Sequence, residues 1–307
     1  MNRALRMNAY GGPEVVHIEQ IDTPKAGPGE VTVRVYAAGI NGLDWKIRDG
    51  LLQSVMPIPL PITLGVELAG EVIEVGSGVT GLALGDRVMG ALSGLGAYAD
   101  QVAVAANQLA LTPAKLDHVR AAAIPVTGLT AWQALVEAGG LKHGQTVLIH
   151  GASGGVGGFA VQFARRIGAH VIATAQGIHA DYLRGLGADE VIDYRREVFW
   201  ERAKNVDLVL DLVGGTTLAN SWQVLCATGK IVSIAAPEIM ANVPSGKTGV
   251  WYQMRPDAVK LKEIATLVSQ GELKAEISEL CELTEAAAAI ERNKTGHGPG
   301  KAVVRFR

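Results

Sequence analysis

Residues 146–157, Thr-Val-Leu-Ile-His-Gly-Ala-Ser-Gly-Gly-Val-Gly, join a β-branched apolar run to a glycine-rich turn. A helix-compatible segment follows through Phe159, Val161, Phe163 and Ala164. A strand that stops, turns tightly and starts a helix aims several backbone N–H groups at one point, with the positive end of the helix dipole behind them. That point suits a pyrophosphate. Gly154 and Gly155 leave room for a phosphate to approach the backbone, and Gly157 lets helix and strand pack closely. Against the pattern G-x-G-x-x-G, Ala152 takes the first glycine position, with Gly151 just before it. The strand–turn–helix context makes this a dinucleotide site.

Such a site needs a parallel sheet behind it. From about Val119 onward, strand-like runs at 146–150, 170–174, 190–193, 206–210 and 230–234 alternate with helix-compatible segments, and 250–254 adds a sixth strand. This alternation predicts βαβ units. Residues 257–270 carry helical spacing in Val259, Leu261, Ile264, Leu267 and Val268, and the alanine run after Glu285 is a further helix. The first third differs. Short β-rich runs at 31–35, 68–75, 87–89 and 98–104 lie between glycine and proline punctuators, which predicts a small barrel or sandwich. Residues 273–277 and 301–306 return to strands and rejoin that part. The expected division is 1–120 with 272–307 for the β-rich domain and 121–271 for the dinucleotide-binding domain.

A chain of 307 residues is long enough for two domains with cores of their own. A formal net charge of −2 gives no basis for binding nucleic acid or an anionic membrane. No segment approaches the roughly twenty consecutive apolar residues of a membrane helix. The N-terminal Met-Asn-Arg-Ala-Leu-Arg lacks the apolar core of a signal peptide. Cys226 and Cys281 read as buried structural thiols, and a cytoplasmic location is expected.

NAD sites typically carry Asp or Glu at the end of the second strand. Here that strand runs into Ala175-Gln176-Gly177, with Asp181 the nearest acid. The missing carboxylate favours NADP(H). His179, Tyr194 and Arg195 are either phosphate contacts or solvated surface. Metal chemistry finds little support. Neither cysteine falls within residues 1–120, the histidines before residue 119 are the distant His17 and His118, and no Cys-x-x-Cys exists. Without a Lewis acid, the easiest hydride acceptors are those whose own conjugation spreads the arriving charge, namely quinones and α,β-unsaturated carbonyls.

The sequence resembles the zinc-independent quinone oxidoreductases and enone reductases of the medium-chain dehydrogenase/reductase superfamily. The resemblance rests on Ala38-Gly39-Ile40-Asn41-Gly42-Leu43-Asp44-Trp45-Lys46, Gly65-Val66-Glu67-Leu68-Ala69-Gly70, Gly85-Asp86-Arg87-Val88, Gly96-Ala97-Tyr98-Ala99, Thr127-Gly128-Leu129-Thr130-Ala131, the turn at 151–157, Leu186-Gly187-Ala188-Asp189, Asp193-Tyr194-Arg195 and Gly300-Lys301. It implies an α/β protein with a GroES-like β-barrel catalytic domain and a Rossmann doubly wound parallel sheet. Substrate and nicotinamide are expected in the cleft between them, in a homodimer joined through sheet edges. Zinc-dependent relatives carry Cys at Asn41 and Gly-His-Glu at Gly65-Val66-Glu67.

Carried over by position, the resemblance places Asn41 and Asp44 as the polar pair of the active site and Lys46 at the nicotinamide ribose. Thr127 touches the nicotinamide, and Ala152, Ser153, Gly154, Gly155 and Val156 hold the pyrophosphate, with Gly157 closing the turn. Thr174 and Gln176 form the adenosine-ribose edge, Tyr194 meets the 2′-phosphate with His179 nearby, and Ala235 and Ala236 belong to a nicotinamide-side loop. From the residues alone, Asp44 fits a turn as well as an active site, Lys46 fits a solvated helix start, and Thr127 fits an N-cap. Glu67 reads as a buried partner for Arg or backbone. Trp45, Tyr98, Trp251 and Met254 form either an apolar lid over an aromatic substrate or core packing. His297 reads as a surface-loop residue. The expected protein is an NADPH-dependent reductase of a small-molecule quinone or enone without a metal. Its rivals are an alkenal- or enone-specific double-bond reductase and a non-catalytic NADPH-binding sensor.

Overall fold

In the β-rich part, valine-rich strands lie between glycine and proline turns, and the central ones are buried on both faces over much of their length. In order come β1 (Asn2–Met7), β2 (Val16–Ile21), β3 (Glu30–Gly39), helix α1 (Gly42–Arg48), β4 (Ile62–Thr63), β5 (Glu67–Val75), β6 (Arg87–Ala91), β7 (Gln101–Ala105) and β8 (Leu109–Leu111). The computed structural model describes residues 2–54, 56–296 and 298–306, so His297 lies outside the described residues. Short helices α2 (His118–Ala122) and α3 (Pro125–Trp132) lead on to β9 (Thr146–His150), α4 (Gly155–Ile167), β10 (His170–Ala175), α5 (Ala180–Leu186) and β11 (Glu190–Asp193). Then follow α6 (Phe199–Arg202), β12 (Val206–Asp211), α7 (Gly215–Ser221), β13 (Leu225–Ser233) and β14 (Thr248–Trp251), and finally α8 (Ala258–Ser269), β15 (Ile277–Glu282), α9 (Ala286–Thr295) and β16 (Lys301–Arg305).

The chain divides into Met1–Val126 with Pro256–Arg307, and Thr127–Arg255. The second bound differs from the expected 271 because α8 packs against β8 and so belongs with the first unit, and the first falls at 126 where 120 was expected. In that unit β2-β1-β4 form one sheet. The order β15-β16-β3-β5-β6-β8, with β7 also on β3, forms the other. Val31, Val33 and Val35 of β3 are fully buried in a core with Leu68, Val72, Val88 and Val304.

The second unit holds a six-stranded sheet in the order β11-β10-β9-β12-β13-β14, parallel at every pairing. This is the Rossmann order, with β9 central and the strand succession reversing beside it. Both faces of such a sheet are covered, and Val147, Leu148, Ile149 and His150 are accordingly buried without alternation. Helix α4 ends at Gly168 in the left-handed region (φ 84°), with Arg165 and Arg166 in its last turn complementing the helix dipole.

Several expectations shift. The strand expected at 230–234 begins at Leu225, the one at 250–254 is Thr248–Trp251, and the one at 98–104 is Gln101–Ala105. The run 273–277 is not a strand up to Ile277, where β15 starts: Leu273 is buried, but in the turn after α8. Cys281 is buried as expected, and burial pushes its thiol up to about 12. Cys226 is only half-buried, with Sγ 3.6 Å from Asp207 Oδ1, and so is not an apolar core thiol. Among the described residues no helix is long and apolar enough to cross a membrane.

Candidate functional site

In the second unit the glycine-rich turn forms as its sequence requires. Gly154 is the N-cap of α4, in extended backbone, and Gly155 opens the helix. The first N–H groups of a helix have no intrahelical acceptor, so those of Gly155, Val156 and Gly157 point out of its start. A side chain on Gly154 would meet only Gly151 O, at 3.6 Å, so the approach to these groups is open. Gly157 is the opposite case. A Cβ there would lie 2.6 Å from both Cα and O of Ala152. That backbone cannot yield, so Gly157→Ala is expected to lower stability by about 1–3 kcal/mol through overpacking. The displaced turn should also bind nucleotide more than about tenfold more weakly. Thermal unfolding and a nucleotide titration of the variant check both effects. The open N–H groups and bare backbone fit a pyrophosphate.

Around this turn the sheet carries buried polar groups not foreseen from sequence. Asp211, fully buried at the end of β12, accepts hydrogen bonds at Oδ1 from the N–H groups of Val213 (3.1 Å) and Gly214 (2.9 Å), and at Oδ2 from Ser233 Oγ (2.7 Å). Ser233 Oγ in turn accepts from the N–H groups of Ala235 and Ala236 at 3.2 and 3.1 Å. One carboxylate thereby fixes the loops after β12 and β13, including the expected nicotinamide-side pair.

His150 is equally buried, and burial lowers its pKa to about 4, so it is neutral. Ser221 Oγ donates to Thr217 O (2.7 Å) and must accept from His150 Nε2–H (3.0 Å). Thr174 Oγ1 then donates to Nδ1 at 2.9 Å. Thr174 was expected at the ribose. Its hydroxyl is buried and bonded to His150, and its backbone carbonyl accepts from Ala152 N–H at 3.2 Å. Gln176 and His179 are half-buried in the loop after β10, and Tyr194 is exposed after β11.

The first unit holds a second polar cluster, fully buried at its centre. Helix α1 begins after Asn41, whose backbone N–H donates to Asp44 Oδ2 at 2.8 Å, half of a capping box. The Asn41 side chain does not cap. Its Oδ1 accepts from the Lys301 ammonium, and its Nδ2 donates to Glu67 Oε1 (2.9 Å) and Gly39 O (3.1 Å). Lys301 also pairs with Glu67 Oε1 at 2.7 Å, and Glu67 Oε2 accepts from Val126 N at 2.7 Å in the first turn of α3. Glu67 thus has the buried role expected of it, with lysine rather than arginine as partner.

Tyr98 is fully buried too. Its hydroxyl lies 2.6 Å from Asp44 Oδ2 and 3.0 Å from Gly39 O, two acceptors for one proton. It is therefore no lid over a substrate but the partner of Asp44. Burial pushes Asp44 up to about 6, against the opposing pull of Tyr98, the Asn41 N–H and Lys301, and its Oδ1 has no hydrogen-bond partner. Burial likewise raises Tyr98 well above the ordinary tyrosine value.

Lys46 and Trp45, the other expected residues of α1, are half-buried. The Lys46 ammonium stands 5.7 Å from the Trp45 ring centre, and Lys294 approaches the same ring at 5.5 Å. Thr127 is buried within the first turn of α3 rather than at its N-cap, because Pro125 already opens that helix. Trp251 is exposed on the edge strand β14, and Met254 is half-buried just beyond it.

The positions that resemble zinc ligands do not fit a zinc ion. Val66 offers no lone pair, while the Asn41 carbonyl oxygen and the Glu67 carboxylate already bind the Lys301 ammonium. A divalent cation placed there would meet that ammonium.

Comparison with known proteins agrees with this architecture. The family described as "Alcohol dehydrogenase GroES-like domain" matches residues 27–114, and the one described as "Zinc-binding dehydrogenase" matches 186–304. The chloroplast envelope quinone oxidoreductase homolog of Arabidopsis thaliana is 35% identical, over 98% of this chain and 97% of that one. A quinone oxidoreductase of Pseudomonas aeruginosa is 36% identical over 94% and 95%. The crystal structure of Escherichia coli quinone oxidoreductase complexed with NADPH superposes with a TM-score of 0.90 at 30% identity, covering 99% of this chain and all of that one. The chain belongs to the quinone oxidoreductase family of the medium-chain dehydrogenase/reductase superfamily, with a GroES-like unit and a Rossmann unit.

Proposed function

We propose that this chain is an NADPH-dependent reductase of quinones or α,β-unsaturated carbonyls that works without a catalytic metal. The observation that carries this reading is the helix start at Gly155, backed by a Rossmann sheet and preceded by Gly154, where even a Cβ would meet nothing nearer than Gly151 O at 3.6 Å. The E. coli relative complexed with NADPH supports it. When bound, the coenzyme supplies a hydride. The N–H groups of Gly155, Val156 and Gly157 hold the pyrophosphate, and the loop of Ala235 and Ala236, braced by Asp211 through Ser233, positions the nicotinamide end.

Asn41 and Asp44 act as positioning residues, since the amide of Asn41 is saturated and Asp44 is sealed beneath Tyr98. Lys46 is half-buried and is the donor assigned to the developing oxyanion, together with Thr127 or backbone amides. Conjugation in the substrate spreads the charge, and water supplies the proton. The same reading has the protein act in the cytoplasm as a homodimer. NADPH oxidation by the full chain with a panel of quinones and 2-alkenals is the test. Turnover with at least one class is expected and should survive prolonged chelation. Absence of coenzyme oxidation across the panel would sink the proposal.

A further inference from the structure

The acid absent in sequence from the loop after β10 reaches that loop across the sheet. β10 and β11 pair in parallel with Ala175 opposite Asp193, so Asp193 leaves its strand beside the point where Gln176 and Gly177 leave theirs. A Cβ on Gly177 would lie 2.5 Å from Asp193 Oδ2 and 3.1 Å from Cγ. The bare Cα of Gly177 lets the carboxylate rest directly against the loop. Oδ1 accepts from the backbone N–H of Arg195 at 3.1 Å, which fixes the direction of the group. Arg196 Nε stands 3.7 Å from Oδ2 on a largely exposed side chain. The Asp193 side chain keeps 18% of its surface, and Gly177 and Ile178 are exposed above it. The result is an oriented, accessible carboxylate at the carboxyl end of two Rossmann strands, where such sheets hold an adenosine ribose.

Resting on the nucleotide-binding reading above, we infer that Asp193 sets coenzyme choice. Its carboxylate accepts from the ribose hydroxyls and repels a 2′-phosphate, so it holds down the selectivity for NADPH over NADH. Arg195 and Arg196 offset that repulsion in part, which lets the phosphorylated coenzyme bind at all.

Calorimetric titration of ADP-ribose and 2′-phospho-ADP-ribose into wild type and Asp193→Asn tests this without turnover. Asparagine keeps the size of the side chain and its acceptor for Arg195 N–H while removing the charge. The affinity ratio is expected to move toward the phosphorylated ligand by on the order of tenfold, as loss of one charge beside a phosphate implies. The ratio of kcat/KM for NADPH and NADH should move in parallel, with the melting midpoint unchanged. Asp193→Ser, which also lacks the charge, should show the same shift and serves if the first variant does not fold. A ratio constant within about twofold, with both ligands still binding, overturns the role of Asp193 and leaves the nucleotide site standing. Wild type that binds neither ligand overturns both.

Discussion

Lys301→Met is expected to cost the first unit about 3–5 kcal/mol, the usual loss when one partner of a buried ion pair is removed. The Glu67 carboxylate is fully buried, and Lys301 is the cation against it, at 2.7 Å. Methionine nearly matches the lysine stem in volume, so the loss would come from the charge left behind rather than from a cavity. Two donors to Glu67 would remain, Asn41 Nδ2 and Val126 N, and neither carries a charge. Asn41 would also lose the donor that fixes its amide, so the orientation of α1 should loosen with the pair. Glu67→Gln in the same chain removes the stranded charge and still accepts from Val126 N. The double variant should therefore recover to within about 1–2 kcal/mol of wild type, a coupling that a double-mutant cycle in denaturant measures directly. A single variant that loses under about 1 kcal/mol would show that solvent reaches Glu67 and that no buried pair exists.

The sequence exposes local chemistry and hides what the sheets assemble. The turn at 151–157 was legible because every group it needs lies within one strand, one turn and the first turn of a helix. The Rossmann strands were legible because buried parallel strands read as continuous apolar runs. Helix α1 was read only as a possible helix start at Lys46. Only seven residues long, it is announced by Asn41 and Asp44 three positions apart, a capping signal that also fits an active-site pair. Lys301 lies 260 residues from Asn41, and only the antiparallel pairing of β16 with β3 brings them together. The loop after β10 looked free of acids because Asp193 belongs to the next strand. Tyr98 read as either an aromatic lid or core packing; it packs in the core, but nothing in its neighbours announces that its hydroxyl is needed by Asp44. Long-range pairs of this kind follow from strand order, which periodicity alone does not fix.

Asp44→Asn should abolish the pH response that this carboxyl group gives the first unit. Burial places Asp44 at about 6, above the ordinary value of 3.8, so the folded chain holds more protons than the unfolded chain between those limits. The stability this group contributes is complete below the ordinary value and is lost as pH rises through about 6. At 1.36 kcal/mol per pKa unit, the loss is about 3 kcal/mol. His150 works with the opposite sign in the second unit. Its folded value of about 4 lies below the ordinary 6.5, so its contribution is present above 6.5 and lost as pH falls through 4. The two effects overlap in pH and occur in different units, so a single melting curve would mix them.

Amide exchange separates the two effects. After correction for intrinsic rates, the amides of β3 and β5 should open more easily at pH 7 than at pH 4.5, while those of β9 and β10 should do the reverse. In Asp44→Asn the amide carbonyl still accepts from the Asn41 N–H and from Tyr98, and no charge is left to desolvate. The variant should therefore exceed wild type in the first unit by up to about 3 kcal/mol at pH 7 and match it near pH 4, with the second unit unaltered. Equal differences at the two pH values would mean that Asp44 titrates like a solvated carboxyl group and that the Tyr98 contact does not seal it.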